Sequence, residues 1–175
     1  NDIYAEHISD DAQYRKVILR EIKNSSLIVS SKKKNAEDEQ NVFEMYYDYS
    51  EAVKRIPPHR TLAMNRGEKL NVLTLKFEHN IDRISGYLSS KVIKENSKIS
   101  YRLNMVIEDS LKRLILPSLE REVRNDMTEV GEAHAVNIFE ENLKSLLLQP
   151  PLKNHMILGV DPAFTTGCKL AVINP

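Results

Sequence analysis

Arg60, Arg66 and Lys69 stand close together in the chain, and Lys32, Lys33 and Lys34 form an unbroken basic run. Guanidinium and ammonium groups are the donors proteins use to neutralise phosphates, so both clusters are candidate nucleic-acid contacts. A solvated charged face is the competing reading. Tyr46, Tyr47 and Tyr49 could stack on bases, although at their spacing packing along an amphipathic helix would occupy the same rings. His7, His59, His79, His134 and His155 are scattered without ligand spacing, and no metal site is expected from them. Cys168 flanks an apolar run with no histidine close in sequence, which suits a small buried apolar residue better than a nucleophile. Asp161, followed by Pro162, has turn formation as its simplest role.

Composition narrows what these residues can do. Twenty-five basic and twenty-five acidic side chains cancel, which excludes the strong field of an independent nucleic-acid module and leaves local contacts. One cysteine cannot close an internal disulfide, so a reducing cytoplasm is the expected setting. No run approaches the roughly 20 apolar residues of a membrane span, and the opening residues lack the pattern of a signal peptide. With Asn rather than Met at position 1, the sequence is expected to begin inside a longer gene product.

The elements that would position these groups read as mainly α. Ser9, Asp10 and Asp11 can cap a helix carrying Tyr14, Val17, Ile18, Leu19 and Ile22 and ending near residues 24–26. Residues 30–35 read as an exposed connection before a second helix over 36–54, stopped by Pro57 and Pro58. Pro58 can then open a short helix that continues from His59 to Asn65, with Gly67 as a left-handed cap. Residues 72–78 alternate like a strand, a lone one near 70–78 with no evident partner.

A helix over 82–95 follows, in which Gly86 could permit a close helix contact, and Asn96 or Ser97 caps the next. That helix carries Leu103, Val106, Ile107, Leu111, Leu114 and Ile115, with Glu108/Lys112 and Asp109/Arg113 as i, i+4 ion pairs. Pro117 should break or kink the run. A further helix over 118–148 would bury Leu119, Val123, Met127, Val130, Phe139, Leu143, Leu146 and Leu147, ending at Gln149-Pro150-Pro151. The tail, Met156 to Val160 and Lys169 to Ile173 around a turn from Asp161 to Gly167, reads as a β-hairpin whose remaining sheet would lie beyond Pro175.

Three stretches, in order, resemble the Tex family of transcription accessory proteins. They are Tyr47-Asp48-Tyr49-Ser50-Glu51 through Ile56-Pro57-Pro58-His59-Arg60 to Arg66-Gly67-Glu68-Lys69; Arg113-Leu114-Ile115-Leu116-Pro117-Ser118-Leu119-Glu120-Arg121-Glu122; and Asn142-Leu143 through Leu146-Leu147-Leu148-Gln149-Pro150-Pro151-Leu152-Lys153 to Gly159-Val160-Asp161-Pro162 and Thr166-Gly167-Cys168-Lys169. The resemblance implies a multidomain cytoplasmic protein with a helical part, a YqgF-type RNase H-like domain, helix-hairpin-helix elements and an OB-fold RNA-binding domain, the last two beyond Pro175. Eukaryotic elongation factors with histone-chaperone activity look like distant relatives. Residues 1–154 would be the helical central region, acting as a scaffold, and 155–175 the first two strands of a truncated RNase H-like α/β domain.

In that setting Asp161 lies where RNase H-like nucleases place a carboxylate that helps hold Mg²⁺ for phosphodiester cleavage. One carboxylate cannot fix two ions, and the others would come from later strands. The chain is therefore expected not to be an enzyme and to hold no cofactor by itself, with Mg²⁺ relevant only to a complete, active domain. Where the family often has glycine after Asp-Pro and arginine two positions on, this sequence has Ala163 and Thr165. The implied partners are RNA or DNA, through the full-length protein, and the transcription machinery. A nuclease part and a protein-interaction module are the alternative readings.

Overall fold

The computed structural model describes residues 2–94, 98–150, 152–165 and 167–175. In chain order these form α1 (Asp2–Asp10), α2 (Ala12–Ser25), β1 (Leu27–Lys32), a 3₁₀ turn (Glu44–Tyr46), β2 (Asp48–Ala52), α3 (Pro58–Lys69), β3 (Leu73–Glu78), α4 (Ile81–Val92) and α5 (Ser100–Asp109). A π-helical segment (Ser110–Ile115), α6 (Leu116–Leu147), β4 (Ile157–Pro162) and β5 (Cys168–Ile173) follow. The fold is mainly α with two small antiparallel sheets, the second being the expected C-terminal hairpin. The expected cap at Asn96 or Ser97, the stop at Pro151 and the turn residue Thr166 lie outside the described residues. Two compact units divide the chain, Asn1–Val136 and Asn137–Pro175.

In the first unit Asp11 caps α2, its carboxylate accepting from the N–H groups of Gln13 (2.8 Å) and Tyr14 (3.0 Å). The helix α1 before it was not anticipated. Ile18 and Ile22 of α2 join Ala5, Ile84, Leu88, Ile107, Leu111, Ile115, Leu119 and Val123 in one helical core. Burying each large side chain contributes about 1.5–3 kcal/mol, which outweighs the helix propensity of any single residue.

The helix expected over 36–54 is not formed. The Asp38 carboxylate accepts from the N–H groups of Val42 (3.0 Å) and Phe43 (2.9 Å) and the Tyr47 hydroxyl (2.7 Å), holding this stretch in turns. Asn35 and Asn41, with φ of 64° and 49°, take left-handed conformations that interrupt a helix. The chain then extends into β2. Nor is the strand near 70–78 alone: it is β3, and its partner is β1, formed across residues read partly as a connection. β1 is central, pairing antiparallel with both edges, so that Val29 faces Ser50 on β2 and Lys76 on β3. Ile28, Phe43, Tyr46, Met64, Val72 and Leu73 make a second core beneath this sheet.

Gly67 is not a left-handed cap either. It lies inside α3 and is buried, and a Cβ there would come 2.6 Å from Leu73 Cδ1 and 3.0 Å from Phe43 Cδ1. The left-handed turn falls instead on Asn71, with φ 59°. Gly86 makes no close helix contact, since a Cβ there would meet nothing within 4 Å.

Pro117 breaks nothing. It is the second residue of α6, and the chain stays helical from Ser100 through the π segment into α6. Proline cannot donate to the carbonyl four residues back, and the wider π turn immediately before it, in which the Leu116 N–H bonds to the Leu111 carbonyl, absorbs the mismatch. The Glu108–Lys112 and Asp109–Arg113 pairs form as expected, at 3.8 and 2.8 Å. Leu119 and Val123 are buried, but Val130, Phe139, Leu143, Leu146 and Leu147 are exposed. Periodicity marks one apolar face of a helix without saying what covers it, and burial on α6 stops at Gly131.

The second unit holds the distal part of α6 and the β4–β5 hairpin, paired from Ile157 opposite Ile173 to Pro162 opposite Cys168. Its turn closes through the Ala163 N–H on the Gly167 carbonyl at 3.0 Å, with Gly167 at φ 88°. Among the described residues no helix is long and apolar enough to cross a membrane.

Candidate nucleic-acid interface

α3 and α6 are tied together by a polar network. The Arg124 guanidinium bonds the Glu68 carboxylate and donates to the Asn65 side-chain oxygen at 3.3 Å. Asn65 in turn donates to the Thr128 hydroxyl at 2.8 Å, which donates to the Arg124 carbonyl at 2.8 Å. This network lines a cleft of about 510 Å³ whose other walls include Lys69, Glu120, Arg121 and Asn125. Both carboxylates are engaged, Glu68 by Arg124 and Glu120 by His79 at 2.7 Å. Among the described residues Lys69 and Arg121 make no ion pair. The cleft therefore has a floor whose carboxylates are engaged in hydrogen bonds, and on its walls two cations without an ion partner among the described residues, which can receive phosphate oxygens.

The residues singled out from sequence do not gather in one place. Lys69 lines this cleft, and Arg66 is an exposed neighbour on α3. Arg60 is engaged elsewhere, its guanidinium donating to the Tyr49 hydroxyl at 3.0 Å and to Glu51 at 3.2 Å. Those bonds raise its pKa further, while burial and then the Glu51 bond push the Tyr49 phenol up. Lys32 lies over the Tyr47 ring, 4.4 Å from its centre, and Lys33 donates to Asn71 at 3.1 Å, while Lys34 is exposed. Tyr46 is buried, and it meets Tyr49 edge to face at 5.5 Å, so these rings are packing groups rather than stacking platforms.

Cys168 is exposed, contrary to expectation, because the face of the hairpin on which it stands is uncovered. Asp161 is an exposed strand residue opposite Lys169 rather than a turn residue, since pairing runs on to Pro162. Among the described residues no group of three or more His, Cys, Asp or Glu side chains converges. Asp161 faces a lysine position instead of a second carboxylate, so the residues present do not form a Mg²⁺ site by themselves.

Arg121, Arg124, Asn125, Asn65 and Thr128 were missed from sequence. For those on α6 a signal was available: positions 120/121, 124/125 and 128 form an i, i+3/i+4 polar stripe beside the apolar stripe of the helix. A second constellation resembles a hydrolytic relay. The Ser26 hydroxyl meets His79 Nδ1 at 2.7 Å, and His79 Nε2 meets Glu120. Since a carboxylate only accepts, Nε2 donates to Glu120, while Nδ1 shares its hydrogen bond with the Ser26 hydroxyl. Ser26 is 1% exposed, however, so no substrate reaches its hydroxyl, and the relay is a structural tie.

Comparison with known proteins bears on this geometry. A family profile described as Tex central region-like matches residues 1–139. The chain is 50% identical over 172 residues to the uncharacterized protein YdcI of Bacillus subtilis, covering 97% of this chain and 24% of that one. It is 38% identical over 165 residues to S1 RNA-binding domain-containing protein 1 of Homo sapiens, covering 88% and 16%. Identity to the transcriptional accessory protein Tex of Neisseria gonorrhoeae is 29% over 178 residues, covering 98% and 24%. The chain thus spans 24% or less of the length of these relatives.

Proposed function

Because this chain belongs to the Tex family, we propose that it is the helical scaffold of a transcription accessory factor and that it meets nucleic acid through the cleft between α3 and α6. The observation that carries this reading is the pair of cations, Lys69 and Arg121, without an ion partner among the described residues, over a floor whose carboxylates are already engaged by Arg124 and His79. Such a surface contacts phosphate without reading sequence, as suits a part that positions nucleic acid for recognition elsewhere. The names of relatives, one a transcriptional accessory protein and one an S1 RNA-binding domain protein, support the same direction.

In this reading residues 155–175 are the first two strands of a YqgF-type RNase H-like domain. The chain alone is not an enzyme, and any Mg²⁺-dependent cleavage belongs to the longer protein.

The test is a fluorescence-anisotropy titration of labelled single-stranded RNA and duplex DNA, at low and at physiological salt, with the chain and with Lys69→Glu/Arg121→Glu. Salt-sensitive binding that the double variant weakens about tenfold is expected. Equal binding by the variant removes the cleft from the path, and no binding at either salt leaves a scaffold only.

A further inference from the structure

A larger cleft, of about 790 Å³, opens between α1, α4 and α5, away from the polar network just described. Its floor is apolar: Ile8 and Val106 are buried, and Val92 and Leu103 are half-buried. Its rim carries the cations Lys91, Lys94 and Arg102, exposed and, among the described residues, in no ion pair or hydrogen bond. Among the described lining residues the one carboxylate is Asp11, and it is already committed to the N–H groups of Gln13 and Tyr14 at the start of α2. Tyr4 stands at the mouth, 65% exposed.

We propose that this cleft is the docking site for an acidic, amphipathic segment of a partner protein. An apolar floor between unpaired cations is complementary to a helix face with apolar anchors flanked by Glu or Asp, the charges setting orientation and capture while the anchors displace water. A nucleic acid fits less well, because polar base edges would be pressed against Ile8, Val92, Leu103 and Val106 without hydrogen-bond partners. A small ligand fits less well too, since the cations stand at the rim and not inside, where they would fix its orientation. The inference is independent of the α3–α6 cleft and survives the loss of that reading.

The experiment titrates the chain into a labelled helical peptide bearing Leu and Phe on one face and Glu on the other. A Lys-for-Glu peptide, a peptide with Ser at the apolar positions and a single-stranded RNA serve as comparisons. Binding of the acidic peptide is expected, weakened about tenfold or more by Lys91→Glu/Arg102→Glu and by added salt, and lost with the other two peptides. These side chains are exposed, so the variant should keep its thermal melt; Lys91→Gln/Arg102→Gln, predicted to weaken binding less, separates charge from folding. Absence of acidic-peptide binding, equal binding by the charge-reversed variant, or a loss confined to RNA overturns the proposal.

Discussion

Asp38 shows how much one side chain can organise. Its carboxyl is held below the usual range, first by the Phe43 N–H, with burial opposing and the Tyr47 hydroxyl and Val42 N–H adding. A depressed carboxyl stabilises the fold fully above its unfolded value, about pH 4, and that contribution fades as pH falls through the lower folded value. The melting temperature of Asp38→Asn should therefore lie a constant interval below wild type above about pH 5 and converge on it in acid. A gap that widens in acid would contradict the assignment. Gly67→Ala tests close packing: the new methyl meets Leu73, itself fully buried, and should cost about 1–3 kcal/mol by urea denaturation. At this scale sequence pointed to charged groups but not to their engagements. Arg60 looked as available as Lys69 until β2 brought Tyr49 and Glu51 to it.

Among elements, α2, α4, α5 and the start of α6 were legible because their apolar period coincided with burial, whereas α3, β3 and the exposed β4–β5 hairpin were legible from Pro58, from strand-like alternation and from apolar runs around turn residues. β1 was obscured by Ser30, which is fully buried where alternation calls for an apolar residue and is satisfied by its bond to the Tyr46 carbonyl at 2.8 Å. The stretch over 36–54 misled because Val42, Phe43, Tyr46 and Tyr49 fit a helical face, while the turn-forming bonds of Asp38 are made across several residues and leave no period. The cleft between α3 and α6 was half visible, through Lys69, because its other wall is remote in sequence. Within the π segment, the buried Ser110 hydroxyl donates to the Ala5 carbonyl at 2.8 Å and fastens α1. Ser110→Ala removes that tie while the Ala5 carbonyl stays within the helical ladder of α1, and should cost about 0.5–1.5 kcal/mol, with amide exchange in α1 accelerated more than in α3. Uniform acceleration would show that the tie is not local.

Across the whole first unit, Phe77 and Met127 pack against both the helical core and the sheet core. His79, 4% exposed, adds the Ser26–Glu120 tie between the end of α2 and α6. Two cores joined in this way should melt as one, so far-UV circular dichroism and tyrosine fluorescence should give coincident urea transitions. Leu73→Ala in the sheet core and Leu111→Ala in the helical core should each lower that single midpoint, through a stability loss of about 2–5 kcal/mol. Separate transitions would mean the shared residues do not couple them. The bond from Ser110 back to Ala5 also sets a timetable during synthesis. At about 5–20 residues per second, α1 has left the ribosome for on the order of 5–20 s before residues 110–123 exist to cover it. The nascent chain spends that interval with an apolar helix surface uncovered, and a chaperone that recognises such surfaces has its window there.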